Sequence, residues 1–181
     1  IQNVSDVLLK TIEVQYNFQK DKLESDLGML VTESESAGKA MVVKSRTVEM
    51  DVFDINSGEK SHLTIPKTIF GLEFVTGEFG IVDKVGKFST SEIAIYQLFN
   101  EKLIKVSTSL KNQDEARPVG GYFSAATDEN KSMMAGTPYL FLSGTGRDKT
   151  LQILSPFNEQ IENALGGAYS IRSSILTKDL K

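Results

Sequence analysis

The most constraining feature of this chain is an apolar recurrence at its start. Leu9, Ile12, Tyr16, Leu23, Leu27 and Leu30 follow one another at spacings of three and four, with one gap at Lys20. Such spacing puts apolar side chains on one stripe of an α-helix. The stripe predicts a helix over about residues 5–35, capped by Asn3 or Ser5 and followed by Gly38. At 1.5 Å per residue that is about 45 Å, longer than a compact core can cover. The helix therefore reads as part dock and part stalk, and the alternative is a core helix lying on a sheet. Gly28, inside the helix, costs about 1 kcal/mol relative to alanine.

Beyond a polar link at residues 33–40 the period changes from helical to alternating. Val48, Met50 and Val52 alternate with Glu49 and Asp51, which predicts a half-buried strand. Asn56-Ser57-Gly58 signals a turn, and His62 to Ile65 a return strand before Pro66. Residues 70–80 mix Phe70, Phe74 and Phe79 with three glycines and read as an apolar loop covering the core or a ligand. Five short strands follow, at about Ile93–Leu98, Leu103–Leu110, Tyr139–Ser143, Thr150–Leu154 and Leu165–Ile171. A helix is expected within 123–134, ending at Gly136. Asn100-Glu101 joins the first two strands as a tight hairpin turn. Connections are short, so the sheet is expected to be mainly antiparallel and the class α+β. The expected layout is a stalk helix over 1–40, a domain body over 41–172 and a lead-out over 173–181.

Composition removes several chemistries. The 181 residues include no cysteine, which excludes disulfides and thiolate chemistry. The net charge of −4 argues against a nucleic-acid surface. No stretch approaches the roughly 20 apolar residues of a spanning helix. Because the chain begins at Ile1 rather than Met, it reads as a segment of a longer protein. His62, the sole histidine, is expected in an exposed hairpin rather than in a catalytic triad. Asp128-Glu129-Asn130 lacks the spacing of a calcium loop and reads as a helix's first turn. Gly144 to Lys149 lies between two expected strands, so a hairpin turn is preferred to a phosphate loop. No motif supports an enzyme, a metal site or a cofactor. Binding without turnover remains. Lys105, inside a strand, and Arg117, in the next loop, are either ordinary surface residues or cations that converge on a carboxylate ligand.

Four blocks resemble a known family. They are Pro66 with Gly77-Glu78-Phe79-Gly80-Ile81-Val82-Asp83, then Lys105-Val106-Ser107-Thr108-Ser109-Leu110, then Ala116-Arg117-Pro118-Val119-Gly120, and last Ala164-Leu165-Gly166-Gly167-Ala168-Tyr169. In order and spacing across 66–172 they resemble the single Cache sensor domains, of the Cache_3/Cache_2 kind, of methyl-accepting chemotaxis proteins and sensor histidine kinases. The resemblance implies a long N-terminal helix followed by a PAS-like five-stranded antiparallel sheet. It implies a pocket on one sheet face, closed by the segment between the helix and the first sheet strand. A parent protein anchored in the inner membrane would hold this domain outside the cytoplasm, in the periplasm. The ligand expected is a small organic carboxylate of two to four carbons. Arg117 stands at the family's loop arginine, and Lys105 replaces an arginine, keeping charge but losing the planar fork. Tyr96, Tyr122 and Tyr139 could add hydroxyl donors, and Phe70 and Phe74 an apolar lid. A homodimer through the first helix is also expected. The rival reading is a dimerisation or partner-reading module of a histidine kinase.

Overall fold

A computed structural model describes residues 3–144, 148–160 and 163–174. Helix α1 runs from Val4 to Ala37, with the Asn3 side chain accepting from the Ser5 N–H at its start. It ends at Gly38, whose φ of 140° brings its backbone against Gly71. A Cβ on Gly71 would lie 1.9 Å from the Ala37 carbonyl oxygen, so only glycine fits there.

Two long strands follow, β1 (Ala40–Asp54) and β2 (Lys60–Phe70), then a short β3 (Glu73–Phe74). The strands expected at 48–52 and 62–65 are the distal parts of this hairpin. Their turn is stapled by the Asp54 carboxylate, which accepts from the Asn56 and Ser57 N–H groups. Part of the expected link at 33–40 is instead the last turn of α1. The segment read as an apolar loop contains β3 and opens into a short helix, α2 (Gly80–Gly86). Ile81, Val82 and Val85 of α2 pack against α1 and the sheet, and this burial holds a glycine-bounded turn that propensity alone does not support.

The five expected strands are β4 (Glu92–Phe99), β5 (Lys102–Thr108), β7 (Tyr139–Ser143), β8 (Thr150–Asn158) and β9 (Leu165–Arg172). They form one antiparallel block in the order β5-β4-β9-β8-β7. The sheet does not stop there. A three-residue strand, β6 (Gly121–Phe123), joins β5 to β1, and β2 and β3 extend it to nine strands. The β1–β6 pairing is parallel, so the full sheet is mixed. Asn100 and Glu101 both take positive φ in the β4–β5 turn, the geometry that a two-residue hairpin with right-handed strand twist requires. Helix α3 (Asp128–Met134) lies inside the expected 123–134 window. Thr127 caps it, Asp128 and Glu129 fill its first turn, and Gly136 follows at φ 73°. The expected turn at Gly144–Lys149 lies partly outside the described residues, as does most of the lead-out over 173–181.

Alternation along β4 divides the core. Ile93 and Ile95 face Leu23 and Leu30 of α1, together with Tyr169, Ile171 and Ile153. Ala94 and Tyr96 face the other way, toward Met133 of α3, Phe123, Leu103 and Leu154. A third cluster, including Met50, Val52, Ile65 and Val106, anchors the β1–β2 hairpin.

Candidate functional site

β4 opens with a charge in an otherwise apolar run. Glu92 is almost fully buried, on the same side of the strand as Ala94 and Tyr96. Its Oε1 accepts from Lys105 Nζ at 2.9 Å and from the Thr108 hydroxyl at 2.8 Å. Its Oε2 meets the Arg172 guanidinium, directly across the β4–β9 register. One carboxylate thus serves two cations, and these three groups carry one net positive charge. Burial by itself raises the Glu92 carboxyl, but Lys105 and Arg172 more than reverse it and hold the group below the usual carboxylate range. Lys105 also lies 5.9 Å from the Tyr96 ring centroid. Its ammonium is held above its ordinary value: burial opposes this, and Tyr96 and Glu92 outweigh it.

Beside this cluster opens a cleft of about 730 Å³. Glu92 and Arg172 form part of its wall, with Thr150, Ser109, Asp83 and the Ser89–Ser91 loop. Lys87, Lys111 and Asp148 also line it. The wall is rich in hydroxyls and carries charges of both signs, which suits a small polar or ionic molecule more than a purely apolar one.

The Ser89–Ser91 loop is tied to α1. Asp26, buried on the sheet side of the helix, accepts from Ser89 Oγ at 2.5 Å, Ser91 Oγ at 2.8 Å and Lys22 Nζ at 3.0 Å. Burial raises the Asp26 carboxyl, and the three donors overcome it, so the group sits below its ordinary value. The cleft wall and the helix therefore share one hydrogen-bonded joint.

The seven residues singled out from sequence do not share one pocket. Lys105, Tyr96 and Tyr139 lie on or beside one sheet face; Tyr96 stacks on Phe123 at 5.6 Å and Tyr139 on Phe141 at 5.4 Å. Arg117 is elsewhere. Both of its terminal nitrogens fork onto Asp83 of α2, at 2.7 and 2.8 Å, and one also reaches the Thr108 carbonyl. Its guanidinium lies 4.7 Å from the Phe79 ring centroid. Each expected cation thus already has a carboxylate of its own chain. Tyr122 packs in the hairpin cluster with Lys102 over its ring. Phe70 is sealed in the core of the α1 face, edge-on to Phe157 at 5.2 Å. Phe74 stands partly exposed on β3 under Lys67.

Sequence reasoning passed over Glu92, Arg172 and Asp26. The signal for the first was legible: a glutamate opening an apolar strand must find cations once buried. Asp26 gave a weaker signal, lying between Leu23 and Leu30 on the core stripe. Among the described residues no group of three His, Cys, Asp or Glu side chains is placed to hold a metal ion. No described helix is long and apolar enough to cross a membrane.

In a comparison with protein families, the model for the Cache 3/Cache 2 fusion domain matches residues 1–142, from α1 through nearly all of β7. No curated protein and no solved structure matches the chain. Cache domains are typically extracytoplasmic, non-enzymatic sensor modules that bind small molecules. A long helix docked on a sheet with a contiguous β5-β4-β9-β8-β7 block, together with a family match over most of the chain, makes this protein a member of the Cache 3/Cache 2 fusion family and a Cache sensor domain.

Proposed function

We propose that this chain is the extracytoplasmic ligand-sensing domain of a membrane-anchored chemoreceptor, that it binds a small carboxylate without turnover, and that α1 carries the resulting change. One observation supports the receptor reading above the rest. The Ser173 hydroxyl, at the end of β9, donates to the Gln19 side chain. Gln19 is where α1 leaves the body, since residues 3–18 are all exposed. The free half of α1 and the exit from the last strand therefore sit side by side, and this geometry suits two connections to one membrane.

The carboxylate reading rests on the charge beside the cleft. Lys105 and Arg172 against Glu92 leave one positive charge, and Arg172 is the member that is a third exposed and lines the opening. A ligand carboxylate there gains charge-assisted hydrogen bonds in a partly desolvated place. Reaching Arg117 would require it to displace Asp83, so Arg117 serves first as a latch between α2 and the 109–120 loop. Lys105 supplies charge from behind, and Tyr96 supports Lys105.

Thermal unfolding against acetate, propionate, pyruvate and succinate, alongside amino acids and amines, tests this. At 100 times the dissociation constant a bound ligand adds about 2.7 kcal/mol of stability, seen as a clear melting shift. The expected shift is confined to carboxylates and is lost in Arg172→Ala. A shift with amines alone overturns the carboxylate reading. The second reading, a dimerising or partner-reading module of a histidine kinase, is favoured by the exposed apolar residues along α1. It gains if no compound shifts the melt while the protein self-associates.

A further inference from the structure

Where α1 gives way to β1, a second cavity of about 600 Å³ opens on the α1 face of the sheet. Among the described residues it shares no wall residue with the cleft at Glu92. The cleft loop is tied to α1 at Asp26. This cavity meets α1 at Glu35, about 14 Å farther along the helix.

The floor is aromatic. The Phe157 and Tyr169 ring centroids are 5.0 Å apart, and Phe70 touches both, at 5.2 and 6.0 Å. The Phe157 ring lies against β9 where that strand has Gly166 and Gly167. A Cβ on Gly167 would stand 2.9 Å from Phe157 Cζ, and one on Gly166 3.0 Å from Cε2. The two glycines let a flat ring cover the strand, and Pro156 beside it adds apolar surface.

The rim is polar and mixed in sign. Glu35, Lys39, Asn158 and Gln160 stand exposed on it. Among the described residues their side chains have no hydrogen-bond or ion-pair partner. Glu159 is half-buried and already oriented: its Oε1 accepts from the Val42 N–H at 3.2 Å, which leaves Oε2 for another donor. Below the rim are two buried hydroxyls. Ser34 is fully buried, and its Oγ has no hydrogen-bond partner. Burial pushes the Tyr169 phenol up to about 12, and the nearby Ser34 offsets only part of this, so Tyr169 keeps its proton as a donor. A buried hydroxyl left unanswered is costly and calls for a partner.

Donors and acceptors are interleaved around this cavity. Its charges, Glu35, Glu159 and Lys39, leave one negative, which selects neither a carboxylate nor a strong cation. An apolar floor under such a rim suits a molecule whose polar groups each donate and accept, set around an apolar face. We propose that this cavity is a second ligand site for a neutral polyhydroxylated ring of monosaccharide size, with the ring's C–H face toward Phe157 and Pro156 and its hydroxyls on Glu159, Asn158 and Tyr169. The site goes beyond the carboxylate reading of the cleft and does not depend on it. Occupancy ties the last turn of α1 to the end of β8, which gives the helix a second input.

Proton–nitrogen correlation NMR of the full chain, titrated with glucose, galactose, N-acetylglucosamine and myo-inositol, tests this. Melting shifts do not discriminate here, because sugars stabilise folded proteins by exclusion from their surface. At least one of these compounds is expected to give saturable shifts at residues 35, 39 and 158–160, leaving the cleft residues 89–92 and 172 unmoved. Glu159→Gln keeps the Val42 contact but turns the free oxygen into a donor, and is expected to weaken that ligand at least tenfold. Asn158→Ala, at an exposed position, is expected to weaken it severalfold, and carries the test if Glu159→Gln disturbs the spectrum elsewhere. Saturable shifts at 35 and 158–160 with succinate or an amine, and none with a polyol, overturn the ligand class. No saturable shift there with any compound, or an affinity that neither variant alters, overturns the site.

Discussion

Replacing Glu92 with alanine removes the carboxylate that Lys105 and Arg172 share. The structure gives the size of the loss. Lys105 Nζ and the Thr108 hydroxyl each lose an acceptor within 3 Å, and Arg172 loses its partner across the β4–β9 register. Hydrogen bonds to a charged group are worth about 1.5–3 kcal/mol each. The two cations, which already act against one another, then lose the carboxylate that lies between them. Breaking a buried pair in this way costs about 3–5 kcal/mol, a large share of a typical total of about 5–15. Lys105→Met is different: Glu92 keeps Arg172, the remaining pair is neutral, and the expected loss is below half that of Glu92→Ala. With a urea dependence of about 2 kcal/mol per molar, Glu92→Ala should lower the midpoint by roughly 2 M. Urea denaturation at pH 7 followed by far-UV circular dichroism reads both variants. The reasoning fails if Lys105→Met is as damaging as Glu92→Ala, or if Glu92→Ala loses under about 1 kcal/mol, the scale of an exposed ion pair.

Several further outcomes follow from the same contacts. Because the Glu92 carboxyl is depressed in the folded state, its stabilisation is present above its unfolded value of 4.5 and is lost as pH falls through the lower folded value. The urea midpoint of the unaltered protein should therefore approach that of Glu92→Gln as pH drops below about 4.5, and a constant gap between them refutes the assignment. His62 lies between Asp51 and Glu49, at 2.6 and 2.8 Å, and these partners raise its ring above 6.5. Its contribution to the β1–β2 hairpin is full below pH 6.5 and fades as pH rises through the raised value. As the sole histidine, it can be followed directly by NMR of the ring protons, and a midpoint at or below 6.5 contradicts the geometry. Arg117→Lys keeps charge but loses the fork onto Asp83, so hydrogen exchange over residues 109–120 should quicken with little change in the α1 core. Asp26→Ala leaves Ser89 and Ser91 without their shared acceptor. It should cost about 1–3 kcal/mol and speed exchange in the 87–91 loop, and equal protection in both proteins would remove the proposed joint between cleft and helix.

The sequence by itself determined the elements that have a strong local period. The 3–4 spacing of apolar residues placed α1 to within two residues at each end, and alternation with turn residues placed β4, β5, β7, β8 and β9. The acidic first turn of α3 at Asp128 and Glu129 was legible for the same reason, since acidic side chains there answer the dipole of the helix they open. What lay beyond local pattern was decided by packing. α2 forms because its three apolar residues find α1 and the sheet, not because its glycine-bounded segment favours a helix. The short β6 exists because β5 and β1 lie on either side of it, and its three residues carry no period of their own. The stripe of α1 that meets the body was legible, since the apolar series through Leu23, Leu27 and Leu30 is the one that docks; that Asp26 lies buried on the same face, bonded to Ser89 and Ser91, was not. The candidate site follows the same division. The cations Lys105 and Arg117 could be picked out by residue type, but their partners are 13 and 34 positions away. Electrostatic partners so remote in sequence are set by strand register and helix docking, which depend on the whole core and leave no mark in any local window.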